Sequence, residues 1–148
     1  MILIKSLNAP LYEAVRKYAS ANPVPFHMPG HKLGRGFPKD VGREMLSLDV
    51  TEIPGMDNLH APEGVIREAQ ELAAKAFCAE KTYFLVNGSS GGIHAIVMAL
   101  CKPGDKLIVA RDCHKSVIGA MILAGVEPVY VMPEFIDDFA ITGTVDAL

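Results

Sequence analysis

The sequence has no tryptophan, only three cysteines, and no apolar run long enough to cross a bilayer. Each shortage excludes a class of protein. Cys78, Cys101 and Cys113 form no Cys-x-x-Cys pair and are odd in number, which argues against a disulfide framework and for free thiols in a reducing compartment. The opening Met1-Ile-Leu-Ile4 stops at Lys5, too short for a signal-peptide core, so a cytoplasmic location is expected and a membrane is not a partner. Basic clusters are missing too. With 14 Lys and Arg against 17 Asp and Glu, and a formal net charge of −3, the chain has no stripe that would grip a nucleic-acid backbone. What remains is a chain of 148 residues, 50% hydrophobic and 21% charged, which is enough to bury a sizeable core in one globular domain.

Along that chain the apolar residues change period several times. Leu11, Ala14, Val15 and Tyr18 recur at helical spacing behind Pro10, which predicts a short amphipathic helix over Pro10 to Ser20. From Asn22 down to Gly55, Pro23, Pro25, Pro29, Pro38 and Pro54 with Gly30, Gly34, Gly36 and Gly42 leave little room for regular structure. This stretch is nevertheless full of chemistry. Phe26, His27, Met28, His31, Asp49, Glu52, Asp57 and His60 do not compose an idle linker, and a long loop of this kind is usually functional. Pro62 to Phe77 reads as the clearest helix, with Val65, Ile66, Ala69, Leu72, Ala73, Ala76 and Phe77 on its apolar face, Glu63 in its first turn and Lys75 near its end.

The organising stretch follows. Tyr83 to Val86 is aromatic, β-branched or leucine, as expected of a strand buried on both faces, and Ile93, Ile96, Val97 and Leu100 return at helical spacing. Between them Gly88-Ser-Ser-Gly-Gly92 lets the backbone turn and expose N–H groups at the start of a helix, where the dipole favours an anion such as phosphate. A plain strand-to-helix turn with serine as N-cap accounts for the same residues. Beyond it Lys106 to Ala110 predicts a second strand, His114 to Gly125 a helix with Val117, Ile118, Met121 and Ile122 on its apolar side, and Pro128 to Met132 a third strand. The pattern is βαβαβ, so the strands should be parallel and helices should cover the sheet faces. Thr144 to Leu148 reads as a capped first helical turn. Three strands are too few to close such a sheet, and a longer chain or completion in trans is expected.

Four separated motifs carry a family resemblance. Pro25-Phe-His-Met-Pro-Gly-His-Lys32, Asp49-Val-Thr-Glu-Ile-Pro-Gly-Met-Asp-Asn-Leu-His60 with Pro62-Glu-Gly64, Phe84-Leu-Val-Asn-Gly-Ser-Ser-Gly-Gly-Ile-His94, and Asp112-Cys-His-Lys-Ser116 closely resemble the Orn/Lys/Arg decarboxylase family. That likeness runs from about Leu11 to the end. It implies an α/β fold, the first part of a fold-type-I, aminotransferase-like large domain with a parallel βαβαβ core, incomplete at its C-terminus. Residues 1–61 would be an N-terminal helix and extended Pro/Gly-rich segment, and residues 62–148 the start of the domain that binds pyridoxal 5'-phosphate. The implied activity is decarboxylation of a basic amino acid, arginine, lysine or ornithine, in polyamine-related metabolism, by a homo-oligomer that is a dimer or larger.

Site residues follow from the same resemblance. Ser89, Ser90 and the amide of Gly91 would hold the cofactor phosphate, and His114 would stack on the pyridine ring. Taken alone, His114 reads equally as a surface residue capping the helix after it. Many relatives carry threonine at Ser90, a departure that keeps the hydroxyl. The lysine that attaches the cofactor and the carboxylate on the pyridine nitrogen lie, in the family, beyond the end of this chain, so no catalytic residue is assigned and the chain alone is expected to be inactive. Lys115 only superficially resembles that lysine. His27, His31 and His60 with Asp49, Glu52 and Asp57 lack the spacing of a metal site, and no metal is expected. In relatives this region lies near the active site and the dimer interface, so one of these carboxylates would meet a substrate cation or the other subunit; turn and cap roles account for them equally well. His94 reads as a packed or edge histidine. Two other classes are a non-catalytic fragment serving as an interaction or dimerisation module, and a nucleotide-binding α/β domain, which the missing G-x-G-x-x-G and Walker lysine disfavour.

Overall fold

Proline at the first helical position, with its φ already set for a helix, starts α1 at Pro10–Ser20, and the Glu13 carboxylate reaches back to accept the Ala9 N–H at 3.1 Å. The computed structural model describes residues 8–38, 40 and 42–145, and these gather into two units, one ending at Phe84 and the other beginning at Leu85. The opening Met1 to Ile4 lies outside the described residues.

In the first unit the described residues of the Pro/Gly-rich stretch hold one helical turn, α2 at Arg43–Leu46, and are otherwise turns, bends and irregular chain. Helix α3 spans Val65–Ala76 and packs on α1, burying Ile66 and Ala74. It starts later than the sequence predicts, so Glu63 stands before the first turn. The reason is that Gly64 is the N-cap and an aspartate from outside the helix, described below, supplies the cap. Phe77, expected on the apolar face, is the C-cap residue and is exposed.

The second unit contains α4 at Gly88–Leu100, β1 at Lys106–Ala110, α5 at Lys115–Ala124 and β2 at Glu127–Val131. Strands β1 and β2 pair in parallel, with Lys106 opposite Glu127 and Ala110 opposite Val131, and α5 makes the crossover between them. Val97 of α4, Ala120, Met121 and Ala124 of α5, and Val126 form the core, with Leu107 and Val109 of β1 packed against it. Gly125 closes α5 in the left-handed conformation at φ 67°, as a C-cap glycine does. After β2 a hairpin of β3 at Phe135–Ile136 and β4 at Ile141–Thr142 follows, a feature the sequence reading missed.

Other expectations are corrected by the structure. Tyr83 to Val86 forms no strand: a ladder requires a neighbour, none among the described residues pairs with this segment, and Val86 is 75% exposed. The observed parallel sheet therefore has two strands rather than three. Among the described residues helices cover one face of it only, since Ile108, whose side chain alternates away from Leu107 and Val109, is 72% exposed. Ile122 of α5 also points to solvent, because the small Ala120 and Ala124 make the close contact in its place. Of the terminal turn expected from Thr144, residues 144 and 145 are not helical and the rest lies outside the described residues.

Candidate functional site

The Gly/Ser stretch is not a loop before a helix but the first turn of α4 itself. Asn87, at φ −100° and ψ 24°, is the N-cap and makes no side-chain cap bond. Serine as N-cap is thereby corrected: Ser89 and Ser90 sit inside the first turn. An α-helix leaves its first four N–H groups without intrahelical partners, and here no side chain caps them. Gly88 carries φ 65°, which glycine adopts at no steric cost, and a Cβ built on it would meet nothing within 4 Å. Ser89 and Ser90 are exposed and Gly91 is half-buried. The result is an open turn with free backbone donors, two hydroxyls and the positive end of a helix dipole, a donor set that suits a phosphate-sized anion. Further along, Gly92 lets the Leu85 side chain approach so closely that an added Cβ would lie 2.6 Å from its Cδ1.

His114 stands at the corresponding end of α5. It is the N-cap, in extended conformation, and its Nδ1 accepts the Ser116 N–H at 3.2 Å with the Ser116 Oγ at 2.8 Å. The capping geometry is thus present. It occupies one ring nitrogen at the edge of the imidazole and leaves the ring faces and Nε2 uncommitted by that bond. His94 packs against α5, where the absence of a side chain at Gly119 makes room: a Cβ there would lie 3.3 Å from the His94 Nε2. Lys115 is exposed at the first position of α5. The loop before His114 is tied to the hairpin by Thr142, whose hydroxyl donates to Asp112 at 2.7 Å.

In the first unit His27, His31, Asp49 and Asp57 are engaged in holding the loop. His27 bonds Tyr18 through Nε2 at 2.6 Å and the Met28 carbonyl through Nδ1 at 2.6 Å. Because a carbonyl only accepts, Nδ1 is the donor, and in the neutral imidazole the tyrosine hydroxyl donates to Nε2. His31 pairs with Asp49 at 3.1 Å and accepts the Gly34 N–H on its Nδ1 at 3.3 Å. Asp57 does most. Its Oδ1 accepts the N–H groups of Asn58 and Glu63 at 2.8 and 2.9 Å, and its Oδ2 those of Gly64, Ile66 and Arg67 at 2.8, 3.0 and 3.4 Å. The Glu63 N–H first, and then those of Asn58, Gly64 and Arg67, hold this carboxyl well below the usual carboxylate range against an opposing effect of burial. The aspartate is the missing cap of α3, a role the local sequence does not reveal because donor and acceptor are up to ten residues apart. No group of three or more His, Cys, Asp or Glu side chains comes together as metal ligands do among the described residues.

Comparison with known proteins gives these positions a context. The family described as "Orn/Lys/Arg decarboxylase, major domain" matches residues 9–148. An arginine decarboxylase of Bacillus subtilis is 46% identical over 137 residues, which cover 90% of this chain and 28% of the relative. The constitutive ornithine decarboxylase of Escherichia coli is 34% identical over 158 residues, covering 97% of this chain and 22% of that enzyme. Among solved structures, the constitutive lysine decarboxylase of E. coli superposes with a TM-score of 0.78 at 27% identity, over 94% of this chain and 21% of that one. The chain therefore spans between a fifth and a third of the length of the relatives it matches.

Proposed function

The chain belongs to the Orn/Lys/Arg decarboxylase family, and from that membership we propose that it is the front part of a pyridoxal-phosphate-dependent decarboxylase of arginine, lysine or ornithine, built on a fold-type-I large domain. Residues 62–148 begin the cofactor-binding domain and residues 1–61 lead into it. The observation that carries the proposal is the uncapped first turn of α4, where Ser89, Ser90 and the Gly91 amide offer hydroxyl and backbone donors at the positive end of a helix. These residues bind the cofactor phosphate. His114 lies against the ring of the cofactor, its cap bond to Ser116 leaving the flat faces free for that contact.

Once bound, pyridoxal phosphate supplies the electron sink for the pair released when carbon dioxide departs. The residues of this chain supply binding and orientation. Phosphate anchoring at α4 fixes one end of the cofactor, and the imidazole restrains the tilt of its ring, so the reacting end is held for groups contributed by the rest of the enzyme. Both the attachment lysine and the carboxylate that faces the pyridine nitrogen belong to that remainder, and the complete enzyme is a homo-oligomer of a dimer or larger.

Extending the reading frame past Leu148 and assaying the encoded protein tests the proposal. Release of carbon dioxide from one of the three amino acids, dependent on added pyridoxal phosphate, is the expected result. A stop codon directly after Leu148, with no release from any of the three, would replace it with the reading of a non-catalytic interaction or dimerisation module. The chain alone, mixed with pyridoxal phosphate and reduced with borohydride, should give no stoichiometric adduct at one lysine. An adduct at Lys115 would assign that residue the attachment role.

A further inference from the structure

Ser116 is the one buried polar side chain among the described residues, 6% exposed, and its hydroxyl lies 2.8 Å from the Nδ1 of His114. Its backbone N–H, at 3.2 Å, points at the same nitrogen. A backbone N–H can only donate, so Nδ1 presents its lone pair, and in the neutral imidazole the proton sits on Nε2. The hydroxyl then donates to Nδ1 as well. Helix capping does not explain this hydroxyl. The N–H alone caps α5, and alanine is a better helix former than serine, so a residue serving only the helix would carry no oxygen at this buried position. A buried hydroxyl is costly without a partner, and its partner here is the imidazole.

We infer that Ser116 is the positioning residue of His114, its hydroxyl and backbone N–H together fixing the imidazole in one tautomer and one orientation. Two donors converging on one nitrogen define both the in-plane direction of the ring and the placement of its remaining proton on the far side. The use of the ring as a platform for the cofactor rests on the function proposed above, whereas its positioning by Ser116 does not.

Imidazole nitrogens report their protonation directly in long-range proton–nitrogen spectra, which the complete enzyme, freed of cofactor and labelled with nitrogen-15 at histidine, makes accessible. Above the histidine titration range His114 should show Nδ1 unprotonated and Nε2 protonated as a single species. Ser116→Ala should give a mixture of the two tautomers, and Ser116→Thr, which keeps the hydroxyl, should restore one. A wild-type spectrum with the proton on Nδ1 would overturn the inference without any variant, as would an alanine variant whose His114 signals match wild type. In the complete enzyme, dialysis of the cofactor separates the two claims. Weakened retention in His114→Ala supports the platform and unchanged retention removes it, while the tautomer of His114 in Ser116→Ala decides the positioning whichever of these is found.

Discussion

The Asp57 carboxylate accepts the Gly64 N–H at 2.8 Å, and the same oxygen reaches Ile66 at 3.0 Å, so the loop before α3 is clamped to the helix by a cap from outside it. Asp57 itself adopts φ 66°, a conformation that aspartate and asparagine tolerate better than other side-chain-bearing residues. Asp57→Asn therefore keeps the backbone and one acceptor while removing the charge. Because the folded-state pKa is held below its ordinary value of 3.8, the carboxylate stabilises the fold fully above the usual range, and this contribution fades as pH falls through that range toward the folded value. Thermal unfolding should show Asp57→Asn less stable than wild type at pH 7, with the gap closing from about pH 5 downwards. A gap of constant size across that range would mean that charge is not what Asp57 contributes.

A second prediction concerns the end of α5. Gly125 sits at φ 67°, its N–H bonded back to Ile122, and a Cβ there would lie 3.3 Å from the Pro103 Cβ. Gly125→Ala should cost about 1–2 kcal/mol from the left-handed backbone, with the Pro103 contact adding to it. Gly125→Asn should lose less of the backbone component. Urea unfolding midpoints at unchanged slope check this, and an alanine variant as stable as wild type would refute the C-cap argument.

The elements that could be read from the sequence are those decided within one turn or one pleat. Pro10 to Ser20, Lys106 to Ala110 and the α5 segment follow from proline at a first turn, β-branched residues in a short run and a glycine stop, all local signals. Tyr83 to Val86 has the composition of a buried strand, but composition reports a preference for burial, and pairing depends on a neighbour elsewhere in the chain. The start of α4 was hidden for the opposite reason: glycine and serine are poor helix formers, so propensity reads a loop where the structure has an uncapped helical turn. At the proposed site, exposed donors at a Gly/Ser helix start were legible as a donor set, and capping by His114 stood among the readings of that residue. The Ser116 contact and the Asp57 cap were not legible, since each depends on where a side chain turns in the folded chain.

The cradle makes a third prediction, in the complete enzyme. In the proposed phosphate site each hydroxyl of Ser89 and Ser90 would give one hydrogen bond to a charged group, worth about 1.5–3 kcal/mol, which corresponds to roughly ten- to hundredfold in affinity. Ser89→Ala and Ser90→Ala should each weaken cofactor retention by such a factor while the turnover of fully loaded enzyme changes less. Ser90→Thr should behave as wild type. Equilibrium dialysis measures retention, and two alanine variants that hold cofactor as tightly as wild type would sink the phosphate assignment.

His114 is the observed cap of α5 and the proposed platform for the cofactor, and three substitutions separate the two roles. The cap uses Nδ1, an edge atom, through the Ser116 N–H at 3.2 Å, whereas a stacking contact uses the flat face. His114→Phe keeps a flat ring and loses the acceptor; it should hold the cofactor nearly as wild type but lower the stability of the cofactor-free protein by about 1 kcal/mol. His114→Asn keeps an acceptor in capping reach and loses the ring, so the order reverses: stability is retained and the cofactor is held weakly. His114→Ala loses both. Cofactor affinity and the unfolding midpoint, measured for all three in the complete enzyme, give a crossed pattern if the two roles belong to different atoms of one side chain. If Phe and Ala hold the cofactor equally poorly, while Asn matches wild type in both measurements, the cap is the whole of what His114 does, and the face of its ring has no part in holding the cofactor.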